Sequence, residues 1–363
     1  MATPMKLVLF EDTEDTRSSI LGSLSNNLFR EEEVVLFDAE QFKEAAEDKT
    51  RMYEDRIESI LQHPPYDDAT LLVVDRDLSK SIDFRGLSVN AVAEAAGRLA
   101  RPVCSYARQP GAVEYHWRGR WEEGHIVLDV SEGVEGLARR AAIAGRGFAF
   151  IMREVATRNI RASESPAKLL AGLLGKADYV EKIGLYGVGD QNRLSEVLKK
   201  PGADDLSTRR LACFLGYWLW DSLLRYPGLF VNEIAAASYL NLSPGDFSDI
   251  RVRSVFEDAV YQGPFSDPKR PQWWRGTLDD ILSRENSSDG LTLVREKVKP
   301  EAKRSECYVD PTKSAGYYCI IAEKPVSFEN SKGGIGWFPR GADLTRIGIP
   351  RLEELGPWGL SDS

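Results

Sequence analysis

The chain has 363 residues, of which 42% are hydrophobic and 28% are charged. This length exceeds what one hydrophobic core usually serves, so we expect two or three folded domains and not a disordered protein. The formal net charge of −9 argues against a general nucleic-acid-binding protein, whose surface is basic. The 4 cysteines are scattered and form no CxxC pair, which argues against a disulfide framework and predicts a cytoplasmic location.

The N-terminal residues contain an apolar run that is too short for a signal peptide and is followed by acids. No stretch of the chain approaches the roughly 18 apolar residues of a membrane-spanning helix. We therefore expect no membrane partner.

Strand and helix patterns alternate along the first third of the chain. Apolar runs of strand type occupy residues 6–10, 33–37, 70–75, 102–106 and 125–130. Helical spacing of apolar residues covers 16–28, 40–63 and 88–99. Because the links between these segments are short, the pattern predicts an α/β domain with a parallel sheet covered on both faces.

Acidic residues follow two of these predicted strands. The run at 70–75 is continuous Leu and Val until it ends in Asp75, and Glu11 and Asp12 follow residue 10. Ligands of open α/β sheets bind beyond the carboxyl ends of the strands, and carboxylate oxygens are suited to Mg²⁺. Acids at a strand end also start turns, which explains Asp77 well. That explanation accounts less well for the acids that end the first strand in the same way.

These residues give the first part of the chain, 1–132, a resemblance to the response-regulator receiver domain. In that family an acid pair follows the first strand, a phosphate-accepting Asp ends the third, a Ser or Thr ends the fourth and a Lys ends the fifth. The resemblance implies a flavodoxin-like sheet, Glu11, Asp12 and Asp75 as Mg²⁺ ligands, and Asp75 as the phosphoacceptor. It also implies that Ser105 senses the bound phosphate.

The sequence also departs from the receiver pattern. No lysine occurs between Ser81 and Ala167, and the predicted fifth strand ends in Asp129 where the family has its lysine. Residues 109–124 alternate like a β-hairpin where the fourth helix is expected. The resemblance is therefore to a degenerate receiver, in which the usual coupling between phosphate and output surface is lost.

Beyond residue 132 the pattern becomes helical. We predict a helical connector at 133–165, a helical domain at 166–290 and a small α+β module at 291–363. The strongest helical stripe lies at 206–224, where Leu, Phe and Trp recur at helical spacing. An aromatic stripe of this kind is far more often core than a ligand site.

Residues 232–253 resemble a helix–turn–helix locally, with Arg251 and Arg253 as possible DNA contacts. A recognition helix offers Arg, Lys, Asn or Gln to the base edges. Here the second helix of the motif begins with an acidic segment. Binding of nucleic acid is therefore the weaker alternative.

Three functions remain open from the sequence. The first is a regulatory signalling protein that controls or docks a protein partner, such as a histidine kinase or an effector. Degenerate receivers of this kind also resemble parts of bacterial stress and anti-phage systems. The second is an effector enzyme with its site in residues 200–363, and the third is a DNA-binding regulator. Carboxylates and an aromatic residue are available for an enzyme site, at Asp310, Glu323, Glu329, Asp343 and Trp337.

Overall fold

The computed structural model describes residues 5–27, 34–44, 52–78, 84, 87–107, 124–158, 164–187 and 205–356. The chain forms two compact units. The first consists of Met1–Pro166 and Asn192–Asp221, and the second of Ala167–Gln191 and Ser222–Ser363. Residues 133–165, predicted as a separate connector, share the first unit with the sheet. The predicted division at 132, 165 and 290 into independently folded domains stays a prediction.

A five-stranded parallel sheet forms the centre of the first unit, in the order β2-β1-β3-β4-β5. Its strands are β1 (Leu7–Phe10), β2 (Val34–Leu36), β3 (Leu71–Asp75), β4 (Val103–Tyr106) and β5 (Ile126–Val127). The α/β class and the parallel sheet predicted from the sequence are confirmed. This strand order is the one found in flavodoxin-like sheets.

Helices cover both faces of the sheet because β1 and the first four residues of β3 are apolar, and both strands are buried throughout. On one face, Val8, Leu72 and Val103 form a core with side chains of two helices, α3 and α4. The other face packs against a long helix, α5, where a Cβ on Gly145 would lie 3.9 Å from Leu71. The helices of this part of the chain are α1 (Glu14–Asn27), α2 (Ala39–Glu44), α3 (Tyr53–Leu61), α4 (Val89–Arg98) and α5 (Gly133–Thr157).

The single helix predicted over residues 40–63 is wrong. Met52 has an extended backbone, with φ −63° and ψ 156°, and α3 begins directly after it. A residue with an extended backbone cannot continue a helix, so α2 and α3 are separate elements. Residues 45–51 lie outside the described part of the chain, as does the tip of the hairpin predicted at 109–124.

Two short helices, α6 (Pro166–Leu173) and α7 (Val180–Gly184), precede a return of the chain to the first unit. The chain returns to the first unit with α8 (Asp205–Trp218), which continues as a π-helical turn at Leu219–Leu223. The segment predicted as helical at 206–224 is therefore not a uniform α-helix. Tyr217 of α8 is buried, and its hydroxyl accepts a 2.7 Å hydrogen bond from Val103 N and donates a 3.0 Å bond to Gly124 O. Helix α8 thereby links the first residue of β4 to Gly124, which lies just before β5.

Short strands and helices make up the second unit. Strands β6 (Phe230–Asn232) and β7 (Gln272–Trp274) form an antiparallel pair, and a four-stranded sheet has the order β10-β11-β8-β9. The strands of that sheet are β8 (Tyr317–Cys319), β9 (Lys324–Val326), β10 (Ser331–Lys332) and β11 (Thr345–Gly348). The helices are α9 (Glu233–Tyr239), α10 (Pro244–Phe247), α11 (Ile250–Val255), α12 (Arg275–Arg284), α13 (Gly290–Lys297) and α14 (Ile349–Leu355).

A cluster of aromatic side chains forms much of the core of this unit. Trp273 is fully buried and makes an edge contact with Phe247, which also packs against Phe256. Trp273, Phe247 and Phe256 therefore form part of the hydrophobic core and not a ligand site.

In the described part of the chain, no helix combines the length and the apolar character that crossing a membrane requires.

Candidate functional site

Three carboxylates meet at the carboxyl ends of two neighbouring strands. Glu11 and Asp12 directly follow β1, and Asp75 is the last residue of β3. Because β1 and β3 are parallel and Phe10 is in register with Val74, the side chains that follow reach the same edge of the sheet. A carboxylate oxygen from each of the three residues lies within 4.8 Å of the other two. We call Glu11, Asp12 and Asp75 the acidic cup.

Hydrogen bonds hold the two most buried members of the acidic cup in place. Glu11 is 2% exposed, and its Oε1 accepts a 2.8 Å bond from Thr13 N. Asp75 is 1% exposed, and its Oδ1 accepts a 3.0 Å bond from Asp77 N. Each acid thus fixes the backbone turn that follows its own strand, as the turn interpretation of the sequence predicts. The same bonds also orient the carboxylates toward one another.

Asp12 is the most accessible member of the acidic cup. It is half-buried, and its Oδ1 accepts a 3.2 Å hydrogen bond from the hydroxyl of Thr13. Asp12 is therefore the member of the acidic cup that lies nearest to solvent. Three carboxylates this close repel one another when ionised, and a bound divalent cation removes that repulsion.

Tyr106 is part of the site and was missed in the sequence. It is fully buried, and its hydroxyl donates a 2.6 Å hydrogen bond to Oε2 of Glu11. In the sheet, Tyr106 is in register with Asp75, and its carbonyl accepts a 2.8 Å bond from Arg76 N. The signal that could have identified it is strand register, because the residue opposite Asp75 must be the last of β4.

Ser105 lies one position earlier in β4, in register with Val74 on one side and Val127 on the other. Side chains of a strand alternate between the two faces of the sheet. Ser105 therefore shares a face with Val74, while Asp75 and Tyr106 share the other. A shift of one residue along a strand reverses the face, so the sheet does not place Ser105 beside Asp75 as its predicted phosphate-sensing role requires. Within the described residues its buried hydroxyl makes no hydrogen bond.

An acid two residues after β5 has a local structural role. Asp129 accepts bonds of 2.8 Å from both the amide and the hydroxyl of Ser131. Its carboxylate also lies 3.5 Å from Nη2 of Arg140 in α5. Asp129, which the sequence resemblance aligns with the receiver lysine, therefore fixes the turn between β5 and α5.

Helices α9, α10 and α11 occupy the segment that resembles a helix–turn–helix. Helix α10, at the position of the recognition helix, has 4 residues. It therefore has only a single turn to place in the major groove of DNA. Both predicted DNA contacts form ion pairs, Arg251 with Asp249 at 2.9 Å and Arg253 with Glu233 at 2.6 Å. Their charges are thus compensated locally, which does not favour the DNA-binding alternative.

Two carboxylates considered for an enzyme site in the second unit have structural partners. Asp310 Oδ1 accepts a 3.1 Å bond from Thr312 N and a 2.7 Å bond from the same residue's hydroxyl. Asp343 forms a 2.6 Å ion pair with Arg275. These hydrogen bonds and this ion pair account for the presence of both acids without a catalytic role.

We compared the chain with known proteins. No family model matches it, and no curated protein and no solved structure gave a match.

Proposed function

We propose that this chain is a regulatory signalling protein whose first unit is an atypical receiver domain, with Asp75 as phosphoacceptor and Mg²⁺ bound by Glu11, Asp12 and Asp75. The observation that supports the proposal is the acidic cup, in which one oxygen of each carboxylate lies within 4.8 Å of the other two. Carboxylate oxygens in such a group are the ligands that Mg²⁺ prefers.

The sheet supports the same proposal. Its order, β2-β1-β3-β4-β5, is that of flavodoxin-like folds, in which ligands bind at the carboxyl ends of the strands. The acidic cup lies at that edge. If these acids served only to start the turns after their strands, the three carboxylates would not need to lie close together. Asp75 and Glu11 each bond to the backbone of their own turn without the other.

Phosphoryl transfer to Asp75 would form a bond between a carboxylate oxygen and phosphorus while the bond from phosphorus to the donor's leaving group breaks. The leaving group departs with that electron pair. Bound Mg²⁺ would neutralise the phosphoryl oxygens. Glu11 and Asp12 would hold the cation, and the hydrogen bond from Asp77 N would orient the Asp75 carboxylate.

The coupling to output differs from that of an ordinary receiver in this proposal. The position of the usual lysine is Asp129, which bonds Ser131. Tyr106 stands opposite Asp75 and bonds to Glu11, so a change at the acidic cup would act on the end of β4 through that phenol. The partner would be a protein, a histidine kinase or an effector, engaged through the helical and C-terminal parts. Bacterial stress or anti-phage defence is the proposed setting.

The test uses the full-length chain with Mg²⁺ and acetyl phosphate as a small phosphodonor, read by intact mass. We expect a gain of one phosphoryl group that requires Mg²⁺ and is lost in Asp75→Asn. The matched control is Asp68→Asn, an exposed acid before β3 that pairs with Lys6 at 2.5 Å. A wild-type chain that gains no mass, or an Asp75→Asn chain that gains as much as wild type, would contradict the proposal.

A further inference from the structure

A glycine-rich loop borders a cavity in the second unit. The loop has the sequence Gly333-Gly334-Ile335-Gly336 and follows β10 directly. Together with Arg340 and Arg346 it lines a cavity of about 310 Å³. The loop and the cavity belong to neither the acidic cup nor the helix–turn–helix segment.

The amides of this loop offer a row of hydrogen-bond donors. Within the part of the chain that the structure describes, the four successive N–H groups of residues 333–336 donate to no protein acceptor. Gly334 has φ +64°, a left-handed conformation that glycine adopts without strain. Successive N–H groups around a left-handed residue form a concave surface that binds anions.

Arg346 adds a charge that neutral groups hold in place. Its Nε donates a 2.7 Å bond to Ser331 Oγ, and its Nη2 donates a 2.9 Å bond to Ser331 O. Its guanidinium also lies 4.9 Å from the ring centroid of Tyr317 and 4.4 Å from that of Phe328. The remaining nitrogen, Nη1, lies against the loop, 2.9 Å from where a Cβ on Gly333 would be. Among the described residues no acceptor binds this nitrogen and no carboxylate pairs with Arg346.

The balance of charge at the cavity is positive. Arg340 is exposed, and none of the described residues forms an ion pair with it. Asp343 also lines the cavity, but its carboxylate is paired with Arg275 at 2.6 Å. Glu329 attracts Arg346 from a longer range without forming an ion pair. Two cations and a loop whose amides have no protein acceptor therefore line this cavity, together with one neutralised acid.

We propose that this cavity binds the phosphoryl group of a small phosphorylated molecule. A phosphoryl group presents three acceptor oxygens, which suits several N–H donors and a guanidinium better than the two oxygens of a carboxylate. The volume of about 310 Å³ lies near the lower end of ligand cavities, about 300 Å³, and so fits a compact ligand such as a mononucleotide. The loop amides bind the oxygens, Arg346 supplies the fixed charge, and Arg340 closes over the bound group.

The experiment follows the amide signals of ¹⁵N-glycine-labelled full-length chain during titration with inorganic phosphate, adenosine monophosphate and adenosine. We expect phosphate and the monophosphate to shift the signals of Gly333, Gly334 and Gly336 in a saturable way, while adenosine leaves them in place. Adenosine monophosphate binding more tightly than phosphate identifies a nucleotide as the better ligand, and equal affinity identifies the phosphoryl group alone. No saturable shift with either anion, or an equal shift with adenosine, overturns the proposal.

Variants locate the site. Arg346→Met is expected to weaken binding about tenfold, as the loss of one charge-assisted contact does. Because Arg346 also packs between two rings, Arg340→Met provides a second variant at an exposed position, with an expected loss of about threefold. Arg304→Met is the matched control, since that side chain bonds to Ser314 and Thr312 instead. Equal affinities in Arg340→Met, Arg304→Met and wild type overturn the assignment. An unchanged titration in Asp75→Asn separates this site from the acidic cup.

Discussion

The hydroxyl of Tyr106 and the carboxylate of Glu11 form a 2.6 Å hydrogen bond in the interior of the first unit. Both side chains are almost completely buried, at 0% and 2% exposure. The bond joins the end of β4 to the residue after β1, across the intervening strand β3. Strand β3 carries Asp75, so this contact places a phenol next to the proposed phosphoacceptor.

Replacing Tyr106 with Phe removes that donor and leaves Oε2 of Glu11 without it. Because hydrogen bonds to charged groups contribute about 1.5–3 kcal/mol, we expect the free energy of unfolding without metal to fall by that amount. Urea unfolding measured by circular dichroism gives the value. The control is Tyr53→Phe, since Tyr53 is 45% exposed and should tolerate loss of its hydroxyl. Equal stability of Tyr106→Phe and wild type would show that the bond does not hold the acidic cup.

Magnesium should stabilise the folded chain through the acidic cup. A ligand at one hundred times its dissociation constant adds about 2.7 kcal/mol to folding stability, which a thermal melt detects readily. In Asp12→Asn one of the three carboxylates is lost, so we expect a much smaller increase in melting temperature with Mg²⁺.

The control for the magnesium experiment is Glu14→Gln. Glu14 lies two residues after Asp12, at the start of α1, where it pairs with Arg17 in the same helix. A magnesium-dependent increase in melting temperature that is as large in Asp12→Asn as in wild type would place the cation elsewhere.

Tyr217 predicts a dependence of stability on alkaline pH. Burial raises the pKa of its phenol well above the ordinary value of about 10. The folded state therefore keeps its proton after the unfolded state has lost it. The contribution of this phenol to stability is complete below about pH 10 and declines as pH rises toward the folded pKa.

In Tyr217→Phe that part of the alkaline decline should disappear. At neutral pH the variant should also be less stable by about 1–3 kcal/mol, because Val103 N and Gly124 O lose their buried partner. Urea midpoints measured from about pH 8 to about pH 11 test both effects. An alkaline decline of the same slope in the variant and in wild type would argue that Tyr217 does not titrate in this way.

Lys299 should stabilise the second unit through two acids. Its ammonium lies 2.8 Å from Asp246 and 3.3 Å from Asp249. Burial tends to raise the pKa of Asp246, but the bonds from Lys299, Ser243 and Lys303 N together hold it below the ordinary value. Since that pKa is depressed in the folded state, the stabilisation is present above about pH 4 and is lost as pH falls through the folded pKa.

We therefore expect Lys299→Met to lower the urea midpoint at neutral pH and the deficit to shrink on acidification. Lys297→Met serves as the control, because Lys297 forms an exposed pair with Glu285, and exposed pairs contribute little. A deficit that is the same at pH 7 and pH 3 would show that the loss comes from packing and not from the charge of Lys299.

Sequence reasoning located the strands of the first sheet because buried parallel strands are continuous apolar runs. It located the three acids because the ends of such strands are where the runs stop. The sequence could not show that Tyr106, and not Ser105, lies opposite Asp75. That depends on the register between β3 and β4, and a shift of a single residue changes it. The break between α2 and α3 was hidden by charged residues, whose spacing is compatible with one long helix.

The second unit was less predictable for a physical reason. Its strands have 2 to 4 residues, too few for alternation to be recognised. The loop at 333–336 lies beside the guanidinium of Arg346 because β10 pairs with β11, and these two strands are adjacent only in the folded sheet.

The chain leaves the first unit after Pro166 and returns to it at Asn192, bringing α8 and the phenol of Tyr217. During synthesis on the ribosome, more than fifty residues after Pro166 must therefore be added before α8, the last helix of the first unit, is complete. A gene fragment that stops at residue 132 or 166 would encode the acidic cup without that support. Any dissection of this protein by truncation should instead keep the polypeptide through Asp221.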